Sequence, residues 1–108
     1  MKTAFIDKLL PVPKYGGFFM KNYWVWGGSV IKGEDGNYHM FVSRWPRGLS
    51  FFPHWVTNSE IVRAVSDKPE GPYSFVEIVL PARGRQYWDG LMTHNPTIHK
   101  VDDTYVLY

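Results

Sequence analysis

Apolar and polar residues alternate along four short stretches of this chain, which are residues 24–32, 38–45, 60–66 and 73–80. Such alternation predicts β-strands, because successive side chains of a strand point to opposite faces. Residues 33–37 contain Asp-Gly and residues 67–72 contain two prolines and a glycine, so both segments predict tight turns. No stretch shows sustained helical periodicity. An all-β chain with almost no helix is therefore predicted.

Three segments between these strands carry turn and loop residues instead of a strand pattern. Residues 1–23 hold two prolines and a Gly-Gly pair, which predict an irregular lead-in and not a helix. Residues 46–58 are rich in proline, glycine and aromatic residues and predict a loop. Residues 81–108 predict a long connection and then two further strands from near Asn95. The strands of residues 24–80 form the main unit.

One strand signature occurs twice: residues 29–41 align without a gap with residues 96–108, 67 positions later. Each copy predicts an apolar strand, an acidic turn (Asp35 and Asp102) and an aromatic strand. Repeats of this length are typical of β-propeller blades. We therefore predict a β-propeller fragment, with one four-stranded antiparallel blade and the start of a second. Because the second copy stops at Tyr108 within a strand pattern, we expect a longer parent protein.

Open blade edges predict that the chain associates with copies of itself. Each blade normally buries a face against the next blade, and an unpaired sheet edge can pair with another chain. A chain with one and a half blades leaves both kinds of surface open. We expect a homo-oligomer that forms through these edges.

Composition excludes several classes of partner and of chemistry. The net charge is only +2 and the arginines are scattered along the chain, so we expect no nucleic acid partner. The absence of cysteine excludes disulfides and thiolate catalysis. No apolar run reaches the roughly 18 residues of a membrane helix, and no secretory signal is visible near Met1. We expect no membrane partner and, by default, a cytoplasmic location, while a periplasmic or secreted parent stays open.

The blade sequences also resemble a known family, in residues 26–41, 59–73 and 95–108. Together they resemble the five-bladed β-propeller glycoside hydrolases, the clan of glycoside hydrolase families 43, 62, 32, 68 and 117. The resemblance implies a carbohydrate substrate, cleavage of glycosidic bonds in polysaccharides or oligosaccharides, and no cofactor. It also implies carboxylates that face an axial funnel as base or nucleophile and as general acid.

The chain departs from this family at two motif positions. The family usually has an Asp where this chain has Gly27-Gly28-Ser29, and an Asp-Pro where this chain has Asn95-Pro96. Asn95 cannot ionise, although its amide can hydrogen-bond a sugar hydroxyl. Three interpretations follow: a glycosidase fragment that is inactive by itself, a non-catalytic carbohydrate-binding propeller, or a remnant that only oligomerisation stabilises.

The segment before the second copy supplies the catalytic candidates, Asp89 and His94. A carboxylate and an imidazole near the axial mouth could act as acid or base, and Trp88 and Asn95 could hold the sugar. The structural alternatives are a turn cap for Asp89, because Gly90 follows it, and a histidine that only packs for His94.

The other predicted substrate-binding residues combine aromatic faces with polar edges, which suit carbohydrate. They are Arg44, Trp45, His54 and Glu60. Trp55 shares the aromatic loop with His54, whereas Trp26 is expected to pack. No metal site is predicted, because His94 and His99 would project to opposite faces of a strand.

Overall fold

The four predicted strands form one antiparallel sheet in the computed structural model, which describes residues 4–108. In chain order and in space they are β1 (Tyr23–Lys32), β2 (Tyr38–Pro46), β3 (Glu60–Ser66) and β4 (Ser74–Leu80). Each boundary lies within one residue of its predicted position. The agreement is close because local turn chemistry ends these strands. In the first turn, Gly36 has φ 82° and the Asp35 carboxylate accepts a hydrogen bond from the Asn37 N–H.

A second sheet contains the hairpin of β5 (Ile98–Val101) and β6 (Thr104–Leu107). The prediction of an all-β chain with one four-stranded sheet and the first two strands of another is confirmed. The two repeats differ in register, however. The gap-free alignment places Tyr105 opposite His99, whereas His99 pairs with Val106. The shift arises because β5 and β6 are joined by a two-residue turn, in which Asp102 adopts φ 51°.

Polar contacts dock this hairpin beside β1. The Ile98 N–H donates to the Ser29 hydroxyl at 3.2 Å, and the Lys100 ammonium lies 2.8 Å from the Glu34 carboxylate. Ile98 itself is buried with 7% exposure. The second repeat therefore packs on the first through one buried apolar side chain with polar contacts around it.

The prediction that residues 46–58 form a loop was wrong in their second half, where helix α1 (Phe51–Asn58) lies. Phe52 has an extended backbone with φ −113° and ψ 136°, so the regular turns begin at Pro53. Proline suits a first helical turn, because the N–H that it lacks would have no partner there. A helix this short shows no clear periodicity in the sequence. The lead-in likewise contains a short 3-10 helix, Phe5–Lys8.

The core is centred on β2 and β3, whereas β4 leaves its outer edge open. Fully buried residues include Val42, Ile61 and Val62. Four of the five large apolar side chains of β4 are at least 41% exposed, namely Phe75, Val76, Ile78 and Leu80, and only Val79 is half-buried. The Cα radius of gyration is 15.7 Å, against about 13 Å for a compact chain of this length. Among residues 4–108, no helix has the length and apolar character to cross a membrane.

Candidate functional site

Four aromatic side chains, a histidine and an asparagine line a pocket of about 260 Å³ at one end of the first sheet. We call it the aromatic pocket; its residues are Trp26, Trp45, Phe51, Trp55, His94 and Asn95. Strands β1 and β2 supply the first two and helix α1 the next two. The segment between the two sheets supplies His94 and Asn95. The fold thus collects these side chains from four parts of the chain.

The rings of the pocket support one another in edge-to-face contacts. The Phe51 ring centroid lies 5.6 Å from that of Trp26 and 5.0 Å from that of Trp45, with interplanar angles of 77° and 60°. Aromatic pairs favour this geometry, because the positive ring edge meets the negative ring face. Trp45 is fully buried, but Trp26 is 54% exposed. Trp26 was expected only to pack, and it instead presents an open aromatic surface at the pocket.

His94 is held by the buried hydroxyl of Ser59, the residue that precedes β3. The Ser59 Oγ lies 2.8 Å from His94 Nδ1 and donates to the Thr93 carbonyl oxygen, also at 2.8 Å. The hydroxyl has a single proton, so when Thr93 receives it, His94 Nδ1 must be the donor to Ser59. His94 Nε2 is then an unprotonated acceptor. No local pattern indicated the role of Ser59, since its partner lies 35 residues away in the chain.

Aromatic surroundings keep His94 neutral. Its ring centroid lies 5.0 Å from Trp55 and 5.6 Å from Trp45. Partial burial against these rings lowers the pKa of His94 below its usual 6.5, because desolvation disfavours the imidazolium. A neutral imidazole with a free Nε2 accepts hydrogen bonds and carries no charge at pH 7.

Asn95 occupies its place because Gly27 has no side chain. A Cβ on Gly27 would lie 2.6 Å from the Asn95 amide oxygen. Gly27 also adopts φ 66°, within a bulge where the pairing of β1 with β2 shifts between Trp26 and Ser29. The Asn95 N–H donates to the buried Ser43 hydroxyl at 2.9 Å. Gly27, which belongs to the segment 27–29, and Asn95 therefore lie against each other.

One polar atom of the pocket wall lacks a partner. The Trp45 Nε1–H is buried and meets no hydrogen-bond acceptor among residues 4–108. A buried donor without an acceptor destabilises a protein by about 1–3 kcal/mol, and most buried polar groups in proteins are hydrogen-bonded.

Asp89 and Trp88 do not line the aromatic pocket. They border a neighbouring depression of about 610 Å³ together with Val56 and Met92. The Asp89 carboxylate forms an ion pair with the Arg83 guanidinium, which also stacks over the Tyr87 ring at 4.4 Å. The Asp89 carboxylate therefore stabilises the loop to which it belongs.

Arg44 and Glu60 lie on the opposite face of the sheet from the aromatic pocket. Trp45 lines the pocket, and adjacent strand residues point to opposite faces. Arg44, with 5% exposure, bonds through Nε to the Glu60 carboxylate at 2.9 Å. Its guanidinium carbon lies 4.0 Å from the Tyr23 ring centroid and 4.8 Å from that of Phe75. Arg44 and Glu60 thus form a largely buried ion pair, and two aromatic rings contact its guanidinium.

His54, the remaining candidate, lies on α1 outside the aromatic pocket. Its Nδ1 is 3.0 Å from the Ser50 hydroxyl, which also donates to the Phe52 carbonyl oxygen at 2.8 Å. His54 therefore takes part in the polar contacts that begin the helix. Within residues 4–108, no group of three or more His, Asp or Glu side chains is arranged to hold a metal ion.

No protein family model, curated protein or solved structure matches this chain.

Proposed function

We propose that this chain supplies a carbohydrate-binding pocket to a propeller of the glycoside hydrolase type, and that it does not cleave glycosidic bonds by itself. One observation carries this proposal: His94 and Asn95 lie among four aromatic rings in a single pocket. A sugar ring has an apolar C–H face that stacks on aromatic rings. Its hydroxyl groups would donate to His94 Nε2 and exchange hydrogen bonds with the Asn95 amide.

The volume and charge of the pocket favour one uncharged sugar ring. The cavity measures about 260 Å³, just below the range of about 300–1,000 Å³ that is typical of small-molecule sites. Among residues 4–108, no lysine, arginine or carboxylate lines it. Burial also keeps His94 neutral, as its lowered pKa indicates. A charged sugar would find no counter-ion in this lining, so we expect neutral pentoses or hexoses.

Hydrolysis by this chain is disfavoured because the pocket offers no carboxylate. Glycosidases use two carboxyl groups, about 5–9.5 Å apart, on either side of the scissile bond. Asp89 is paired with Arg83 beside a different depression, and Glu60 is on the far face of the sheet. A longer propeller would have to supply both groups from other blades.

A non-catalytic carbohydrate-binding propeller is the second candidate, and one observation favours it. The Gly27 backbone and the Asn95 amide are packed so closely that a side chain at Gly27 would collide with Asn95. The two segments in which the resembled family carries carboxylates therefore meet here through an uncharged pair, Gly27 and Asn95. The two candidates share the pocket and differ in what further blades contribute.

Calorimetric titration of the 108-residue chain with neutral monosaccharides tests the proposed binding. We expect saturable binding, and Trp55→Ala should weaken it about fivefold, because stacking on a ring contributes about 1 kcal/mol beyond area burial. Tyr15→Ala is the matched control, since Tyr15 is an aromatic residue of the lead-in with 78% exposure. Equal affinities of the two variants, or the absence of saturable binding, would overturn the proposal.

Turnover of aryl glycosides tests the second half of the proposal. The purified chain should release no aryl alcohol above the buffer background, because a pair of carboxylates is missing from the pocket. Release that depends on enzyme concentration and that is lost in Asp89→Asn would show that the chain is a glycosidase in its own right.

A further inference from the structure

The loop that carries Trp88 is closed on itself by backbone hydrogen bonds. The N–H groups of Arg83 and Gly84 both donate to the Gly90 carbonyl oxygen, at 2.7 and 2.9 Å. The Gly90 N–H donates in turn to the Tyr87 carbonyl oxygen at 3.1 Å. We call residues 83–90 the Trp88 loop. Its ends are held by its own backbone and by the Arg83–Asp89 ion pair.

Two glycines allow this closure. Gly84 adopts φ 100°, which side chains rarely tolerate. A Cβ on Gly90 would lie 1.7 Å from the Gly84 carbonyl oxygen, so no other residue fits this closed form. Glycine is thus required at both positions for the loop to close.

This braced loop holds its largest apolar side chain in solvent. Trp88 is 96% exposed, although burial of an aromatic side chain of this size would remove about 150–250 Å² from water. Packing against residues 4–108 therefore does not account for the presence of a tryptophan at position 88. Arg85 and Asp89 border the same depression and place hydrogen-bonding groups near the ring.

The Trp88 depression and the aromatic pocket are lined by residues that are close neighbours along the chain. Trp55 lines the pocket and Val56, the next residue of α1, lines the depression. In the same way, Met92 lines the depression and His94 lines the pocket, so their Cα atoms are at most about 7 Å apart. One ligand could occupy both sites with adjacent parts.

We propose that Trp88 is the stacking platform of a second sugar subsite, so that the chain binds an oligosaccharide that extends out of the aromatic pocket. The inference rests on the proposed function, because the first sugar unit must occupy the pocket. Trp88 would stack against the face of a following unit, and Arg85 and Asp89 would bond its hydroxyls. The preformed loop favours binding, since little ordering remains to be done.

Titration of the 108-residue chain with a length series of one neutral sugar, from monomer to tetramer, tests this proposal. For the unaltered chain, affinity should rise about tenfold between the monomer and the longer members, a typical effect of one stacked ring. Trp88→Ala should abolish that rise and leave monomer affinity unchanged, whereas Trp88→Phe should retain most of it. Trp55→Ala should weaken binding at every length.

Other outcomes separate this inference from the proposed function. If affinity is independent of length, or if Trp88→Ala weakens all lengths equally, the second subsite is refuted and the pocket stands. If no member of the series binds, both proposals fail together. If Trp88→Ala changes the oligomeric state in light scattering while the length dependence persists, Trp88 is a protein contact and the subsite is refuted.

Discussion

Removal of the Glu60 carboxylate should destabilise the fold strongly, because it leaves the Arg44 cation buried without a counter-ion. Arg44 is 5% exposed, and the Glu60 side chain is 20% exposed. Loss of one partner from a buried ion pair destabilises proteins by about 3–5 kcal/mol. Water can reach the position that Glu60 vacates, so we expect the lower end, about 3 kcal/mol, for Glu60→Ala. This is a large part of the roughly 5–15 kcal/mol that stabilises a small domain.

Urea unfolding, followed by tryptophan fluorescence, measures this effect. With an m-value of about 2 kcal/mol/M, the expected midpoint shift is about 1.5 M. Glu77→Ala is the matched control, since Glu77 forms the same cross-strand pair with Arg63 at 2.8 Å but its side chain is 54% exposed. Exposed pairs contribute only about 0–1 kcal/mol. Glu60→Gln keeps an acceptor oxygen and should fall between the two.

Two outcomes would refute this reasoning. One is that the free energies of unfolding of Glu60→Ala and Glu77→Ala differ by less than about 1 kcal/mol, which is the upper value for an exposed pair. The other is a Glu60→Ala variant that keeps its stability and loses sugar affinity. The second result would restore the substrate-binding role that the sequence suggested for Glu60.

Four further predictions concern the pocket and the open sheet edge. Ser59→Ala should lower sugar affinity about fivefold, the effect of one hydrogen bond of about 1 kcal/mol; unchanged affinity would argue against a positioning role. Because the pKa of His94 is lowered on folding, the contribution of this group to stability is present above about pH 6.5 and is lost as the pH falls through its folded pKa. His94→Gln should remove this pH dependence of the free energy of unfolding. An unchanged pH dependence in that variant would contradict the prediction. Gly27→Ala should destabilise the fold by more than Gly36→Ala, since both glycines have positive φ but only a Cβ on Gly27 meets another atom within 4 Å; equal losses in urea would disprove the collision. The chain should form oligomers at micromolar concentration in light scattering, and Val76→Lys on β4 should reduce them; a monodisperse unaltered monomer would refute association through this edge.

The sequence predicted the elements whose causes are local. Strand ends followed from turn residues such as Gly36, and the antiparallel pairing of β1 with β2 and of β3 with β4 followed from their short connections. Helix α1 escaped prediction because its regular turns, from Pro53, are too short for a periodic signal. The register of the second hairpin also differed, since one turn residue changes the whole pairing.

The site depends on contacts that no local pattern contains. Ser59 reaches His94 across 35 residues, and Ser43 reaches Asn95 across 52 residues. Predicted residues of the right chemical type were therefore divided by the fold: His94, Asn95, Trp45 and Trp55 share the aromatic pocket, whereas the other candidates lie outside it. Alternation along β2 could have separated Arg44 from Trp45, because it places neighbours on opposite faces.

Indole N–H signals in a ¹H–¹⁵N spectrum test the central claim, that a neutral sugar binds in the aromatic pocket, most directly. The chain contains five tryptophans. On titration with a monosaccharide, the signals of Trp26, Trp45 and Trp55 should shift with one common dissociation constant. Trp24 is the internal control, because its Nε1–H is already bonded to the Leu49 carbonyl oxygen at 3.0 Å. Shifts confined to Trp24 and Trp88, or no shifts at saturating sugar, would contradict the account.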